Sequence, residues 1–297
     1  MTRYAYSGEP GAFAEDAVLA FDPTAEPVPT PGFREVFEAV VAGRLPGDTG
    51  GAPPIERGVL PIENVVQGTV RETYDLLLEH DLVIVGEVIV PVHLCLAALP
   101  GEHLESIERV YSHIQALGQA ETFLRSRPWS LLTTYNTAGA GRLIVDRQER
   151  GVAAVLSPRA AAGFGLTVLA AEIQSAPDNR TRFLVVAKSS AEPETRTPSA
   201  HESDAAGTRA FRTTLVLAVK NEPGSLLRCL EVLARAGLNM GKLESRPSRS
   251  HAWEYVFWVE LDADGTAPAT AAALSELGRV ASMLRVLGSC PRATDLA

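Results

Sequence analysis

Residues 189–210 constrain the fold more than any single motif does. They are Ser, Ala, Glu, Pro, Thr and Gly with almost no large apolar side chain, so they cannot bury a core and read as a linker. On the N-terminal side, strand and helix signals alternate. A short strand at 4–6 precedes the Gly8-Glu9-Pro10-Gly11 turn and a helix expected over about 12–20. Phe33, Val36, Phe37, Val40 and Val41 fall at helical spacing. Residues 58–61 and 82–99 read as buried strands, the latter too interrupted by Glu87, Pro91 and His93 to span a bilayer. Helix signals at 70–78, 114–124, 137–145 and 158–164 then alternate with strands at 110–111, 131–134 and 153–156. Such βα alternation implies a mainly parallel sheet architecture with helices on both faces. Residues 46–57, rich in Gly and Pro, carry no periodic signal and are expected to form a surface insertion.

Beyond the linker the spacing predicts strands at 213–219, 241–246, 255–261 and 284–287, with helices at 223–236 and 270–277. The order βαββαβ is that of a ferredoxin-like sandwich. A chain of 297 residues thus resolves into a domain over 1–188, a linker over 189–210 and a smaller domain over 211–290.

A formal net charge of −9 argues against a nucleic-acid or anionic-membrane surface, either of which needs a basic face. An anionic ligand would require positive potential built locally. Lys188, Lys220 and Lys242 are the only lysines, so arginine carries nearly all the positive charge. Cys95, Cys229 and Cys290 are isolated, which implies a reduced compartment and no zinc cluster. With no apolar signal core at residues 1–8, the expected location is the cytoplasm. No Gly-x-Gly-x-x-Gly, Walker loop, metal-spaced set or nucleophile elbow occurs, so the expected chemistry needs no cofactor and no metal.

Five segments place polar side chains where strands give way to helices or begin. In open α/β sheets such ends form the ligand crevice. At Gly8-Glu9-Pro10-Gly11-Ala12-Phe13, glycine lets backbone N–H groups near a helix start approach a carboxylate. Glu63 and Asn64 follow a buried strand, with Glu63 either a site residue or a helix-capping acid. Ser112, Gln115 and Gln119 share one helix face, with Ser112 a natural N-cap. That face is either a ligand wall or a solvated surface, and His113 either a general acid or structural. Asn136-Thr137-Ala138-Gly139 presents an amide and a hydroxyl at another corner. In Asn179-Arg180-Thr181-Arg182-Phe183, strand alternation puts Asn179, Thr181 and Phe183 on one face and both arginines on the other. Amides, hydroxyls and Arg suit a reaction with a large internal driving force that needs orientation and leaving-group help more than a strong base.

These segments, in this order, resemble the prephenate dehydratase family with a C-terminal ACT domain. The matches are Tyr6–Phe13, Leu60–Asn64, Ser112–Leu117, Thr137–Gly139, Asn179–Phe183, Glu222–Leu226 and Glu244–Pro247. The resemblance implies an α/β, two-lobed, periplasmic-binding-protein-like catalytic domain with an interlobe cleft, followed by a ferredoxin-like ACT domain. Lobe one would span about 1–80 and 172–188, and lobe two about 81–171. It implies a cytosolic, cofactor-free lyase that turns prephenate into phenylpyruvate with loss of carbon dioxide and water. Thr181 would be the catalytic hydroxyl, with Asn64, Ser112 and Gln119 as catalytic positioners. Gly11, Glu63, Gln115, Thr137, Arg182 and Phe183 are the further substrate-binding candidates, with Arg182 either on the retained carboxylate or turned into structure.

Phenylalanine would act as allosteric effector at Asn221, Pro223, Gly224, Ser225 and Leu226 together with Glu244, Ser245, Arg246 and Pro247. Asn221 is expected to cap a helix opening at Pro223. The family also implies homodimers or homotetramers. Where the family usually carries a hydroxyl residue this chain has Ala12 and Ala14; Val65 replaces a Ser and Ile114 a Pro. Residues 74–100 resemble the branch whose members often use arogenate, the amino analogue of prephenate. A catalytically inactive amino-acid sensor is the alternative from another class, and the presence of Thr181 speaks against it.

Overall fold

The computed structural model describes residues 1–48, 51–189, 210–247 and 255–293. Apart from its two end residues, the expected linker lies outside the described residues. In chain order the structure opens with β1 (Arg3–Ser7), α1 (Phe13–Phe21), β2 (Glu26–Thr30), α2 (Phe33–Ala42), β3 (Ile55–Asn64), β4 (Gly68–Thr69) and α3 (Arg71–Glu79). There follow β5 (Leu82–Pro91), β6 (Cys95–Ala98), β7 (Arg109–Ser112), α4 (Ile114–Gln119), α5 (Glu121–Arg125), β8 (Ser130–Thr133) and α6 (Thr137–Arg147). Next come β9 (Val152–Leu156), α7 (Pro158–Gly163), β10 (Thr167–Ala170) and β11 (Arg180–Lys188).

One sheet runs β2-β1-β3-β11-β5, with β4 paired to β3, and a second runs β10-β6-β9-β7-β8. In the first sheet β1 lies parallel to both β2 and β3. The second is mixed: β7 is parallel to β8 and β9, whereas β6 is antiparallel to β9 and β10. This corrects the expectation of mainly parallel sheets. The antiparallel β10 gave no sequence signal, because Thr167 and Val168 are exposed and alternate with nothing buried.

Alternation explains the unbroken apolar run in β6. Leu96 and Ala98 join Val110, Val155, Leu117 and Leu124 on one face of the sheet. Cys95 and Ala97 join Tyr111, Ala154, Ile144 and Ala160 on the other. With helices covering both faces, neither parity can be polar. Local chemistry sets the helix ends. Asn136 caps α6 by accepting the Gly139 N–H at 2.5 Å, and Ser157 caps α7 ahead of Pro158. Gly43 ends α2 in the left-handed region at φ 73. The helix expected over 114–124 is two short helices joined at Ala120. The end of the expected 46–57 insertion is strand, since β3 begins at Ile55.

The C-terminal region carries β12 (Phe211–Ala218), α8 (Ser225–Arg235), β13 (Met240–Pro247), β14 (Tyr255–Leu261), α9 (Pro268–Val280) and β15 (Met283–Pro291). Its sheet order, β13-β14-β12-β15, is antiparallel and ferredoxin-like. Leu215, Leu217, Val259 and Leu261 pack against Cys229, Val232 and Leu233 of α8 and Leu274 and Leu277 of α9. One expectation here fails: α8 opens at Ser225, and Asn221 does not cap it. Pro223 and Gly224 instead occupy the middle of a turn closed by the Ser225 N–H on Glu222 O at 3.2 Å. Gly224, at φ 79 and ψ −1, has the geometry a type II turn demands after proline.

The chain divides into two compact units: Met1–His80 with Val88–Leu184, and Asp81–Glu87 with Val185–Thr294. Within the second unit, buried Glu87 pairs with Arg212 at 2.6 Å and accepts the Ala293 N–H at 2.7 Å. Among the described residues no helix is long and apolar enough to cross a membrane.

Within the first unit, Gly11 has no room for a side chain against neighbouring backbone. It sits at φ +88, and a Cβ there would lie 2.5 Å from the Cα of Ala160 in α7. Ser157 Oγ donates to Gly11 O at 2.7 Å, so the two segments are locked face to face. Gly11→Ala is expected to destabilise the first unit by about 2–4 kcal/mol. Denaturant melts of the variant test this, and an unchanged midpoint would contradict the packing described.

Candidate active site

Neighbouring strands β3 and β11 set Glu63-Asn64 beside Thr181-Arg182. Because side chains alternate, Asn64 and Thr181 share one face, and Glu63 and Arg182 the other. The Asn64 Nδ2 group lies 3.0 Å from Thr181 Oγ1, 2.8 Å from Asn179 Oδ1 and 3.0 Å from Arg180 O. Asn64 Oδ1 accepts the backbone N–H groups of Val66 at 3.0 Å and Gln67 at 2.9 Å. Those two backbone donors fix which end of the amide is oxygen, so nitrogen must face the threonine. Thr181 Oγ1 is therefore an acceptor here, and its proton has no acceptor among the described residues. Asn179, 3% exposed, completes the cluster, with its own Nδ2 buried and without a partner.

Thr181 lines a cleft of about 560 Å³ between the two sheets, within the range of small-molecule sites. Asn64, Gly11, Gln115, Gln119, Thr137 and Phe183 line it as well. Ser112, Glu63 and Arg182 do not. Arg182 Nη2 pairs with Glu63 Oε2 at 2.9 Å on the face of the sheet away from Thr181, so neither is placed to hold a ligand in the cleft. Ser112 is 0% exposed and donates to Val155 O at 2.6 Å. It lies one residue too early to cap α4; His113 takes that place, accepting the Gln115 N–H at 3.4 Å.

With Arg182 committed elsewhere, the charged side chains in the cleft lining are Arg71 and Glu72, and backbone dipoles add to the Arg71 guanidinium. The starts of α1, α2 and α3 all line the cleft through Phe13, Phe33 and Arg71, and none of these helices has a side-chain N-cap. Each end carries roughly half a positive charge. Ala12 and Ala14 face the cleft, so loss of a hydroxyl there alters its lining. Val65 and Ile114 are exposed and absent from the lining, so those departures do not reach it.

Sequence reasoning missed Gln67 and Tyr135. Gln67 Nε2 donates to Gln115 O across the cleft at 3.1 Å, and Tyr135 Oη donates to Glu9 at 3.3 Å. Glu9 also pairs with Arg142 at 2.9 Å. Neither residue stood in a periodic or spaced pattern, so the only available signal was position just beyond a strand end.

In the small domain, Asn221, Pro223 and Gly224 are exposed in the turn before α8. Ser225 is buried and accepts from Arg228 Nη2 at 2.9 Å, with Leu226 half-buried behind it. Glu244, Ser245, Arg246 and Pro247 close edge strand β13, where Glu244 lies 3.5 Å from Lys242 Nζ.

The chain matches the family model described as prephenate dehydratase over residues 4–191, and the ACT domain model over 213–279. It is 37% identical over 303 residues to arogenate dehydratase/prephenate dehydratase 2, chloroplastic, of Arabidopsis thaliana, covering 99% of this chain and 74% of that one. A prephenate dehydratase from Arthrobacter aurescens, solved in complex with L-Phe, is 31% identical with a TM-score of 0.82, covering 98% of this chain and 90% of that one. A solved structure described as GqqA, a novel type of quorum quenching acylase, is 30% identical with a TM-score of 0.81, covering 98% of each chain. Motif order, cleft and family models agree: the chain belongs to the prephenate dehydratase family and carries an ACT domain after its catalytic region.

Proposed function

We propose that this protein converts prephenate to phenylpyruvate and that phenylalanine, bound to the ACT domain, lowers the rate. Residues 1–188 would be catalytic, 211–290 regulatory and 189–210 the connection. In the reaction the ring carboxylate leaves as carbon dioxide, and the electron pair of its C–C bond becomes a ring double bond. The C4–O bond breaks at the same time. The departing hydroxide takes a proton and leaves as water. Aromatisation supplies the driving force, so the protein's task is to hold the dianion and ease the oxygen away.

The observation that carries this reading is the direction of the Asn64–Thr181 hydrogen bond. With Asn64 donating to Oγ1, the threonine proton is free to donate to the leaving oxygen. Threonine is a poor acid by itself. A donor on its oxygen polarises it and fixes its rotor, which supports a positioned hydrogen-bond donor and not a general base. The uncapped helix starts suit the carboxylate that stays. Phe183, Val92 and Leu94 give the cleft an apolar side. Placed there, the other carboxylate would lack strong ground-state pairing, which would oppose its loss.

An acylase, as the GqqA relative is described, needs a base to activate its nucleophile. The partner of Thr181 is instead an amide donor, which favours the lyase. The name of the Arabidopsis relative covers arogenate as well as prephenate, and arogenate dehydration to phenylalanine remains the second reading. Incubation with each substrate separately, with product identification, decides between them.

Thr181→Val is expected to lower kcat on prephenate by about 10²–10⁴-fold, with the fold intact by circular dichroism and with Thr181→Ser retaining most activity. Near-normal turnover of the valine variant would remove Thr181 from its role.

The assembly is inferred to be a homodimer or homotetramer, since closed symmetry is the usual outcome for such chains. Initial rates with and without phenylalanine test the regulation, where a decrease is expected and indifference would refute it. Light scattering tests the assembly, and a monomer mass would count against it.

A further inference from the structure

His113 lines the same cleft, yet the mechanism above gives it no task. As N-cap of α4, its Nδ1 accepts the Gln115 N–H. A neutral imidazole has one donor and one acceptor nitrogen, so accepting at Nδ1 places the proton on Nε2. That Nε2 has no hydrogen-bond acceptor among the described residues and is not sealed from solvent. His93 by contrast lies outside the cleft lining, exposed on the surface with Glu172 at 2.9 Å. Burial pushes the His113 imidazole below its ordinary pKa, with no carboxylate acting to raise it. The ring is therefore neutral near pH 7 and carries one fixed N–H.

We propose that His113 contacts the substrate directly, its Nε2–H donating a hydrogen bond to the carboxylate that prephenate keeps. This rests on the prephenate reading of the cleft. A neutral donor suits a dianion that must shed one of its two charges as carbon dioxide. It orients the retained group without the strong pairing an imidazolium would add in the ground state. It adds a fixed neutral donor to a cleft whose lining already includes the Arg71 side chain and the helix starts, where sequence analysis looked for a cation at Arg182.

Two substitutions separate this role from simple helix capping. His113→Asn puts an amide oxygen where Nδ1 sits and preserves the cap, but has nothing at Nε2. His113→Gln reaches the position of Nε2 with an amide N–H and gives up the cap. If His113 holds the carboxylate, the Asn variant melts like wild type but its KM for prephenate rises by about 10–100-fold, with a smaller change in kcat. The Gln variant then returns KM to within a few-fold of wild type, even if it melts lower. A purely structural His113 gives the reverse order, with Asn like wild type and Gln impaired, and that result overturns the proposal. Equal impairment of both variants overturns it too. Turnover of prephenate by the wild type, measured in parallel, checks the underlying reading: a wild type active on prephenate with an unaffected Asn variant rejects only the role of His113.

Discussion

The hydrogen bond from Asn64 to Thr181 depends on a register that only the paired strands β3 and β11 provide. The two residues are 117 positions apart, yet 3.0 Å separates their polar atoms. Asn64 closes the cluster in both directions. Its oxygen is saturated by two backbone N–H groups of the turn that follows β3, and its nitrogen serves Asn179, the Arg180 carbonyl and Thr181. A side chain held at both ends has one rotamer and one amide orientation. It therefore holds the hydroxyl oxygen of its neighbour as an acceptor in one geometry.

The reverse face of the same strands shows why Arg182 is not the anion clamp. One residue before Asn64 and one after Thr181, Glu63 and Arg182 meet at 2.9 Å and cancel locally. In this acidic chain of net charge −9, the cleft lining holds Arg71 and Glu72 beside helix starts and neutral polar groups. Three helices start at the cleft without side-chain caps, while α6 and α7, whose starts also line it, are capped by Asn136 and Ser157. Dipolar donors bind a carboxylate with less ground-state pairing than a guanidinium would.

Much of both folds was legible in the sequence. Residues such as Leu96 and Cys95 could be placed in a strand because apolar runs bounded by turns have few other solutions. The βαββαβ order followed from four strand and two helix signals. Asn64 and Thr137 were legible as polar residues at strand-to-helix corners, Gln119 by its helix-face spacing from Ser112 and Gln115, and Thr181 as a hydroxyl at the mouth of a buried strand. The misreadings share a cause. Ser112 looked like a cap and ligand wall, yet it is buried on Val155 O because β7 continues one residue further than its apolar pattern. Pro223 looked like a helix start, yet Gly224 with positive φ makes the pair a turn.

The sequence by itself determined the alternation of elements and the identity of the polar groups available for chemistry, because these depend on local pattern and period. Tertiary structure alone decided which of two alternating faces becomes a cleft wall. Local pattern assigns parity along a strand but is blind to what packs against either side. That choice put Thr181 in the cleft wall and Arg182 against Glu63, and it brought helix starts distant in sequence to a single hollow.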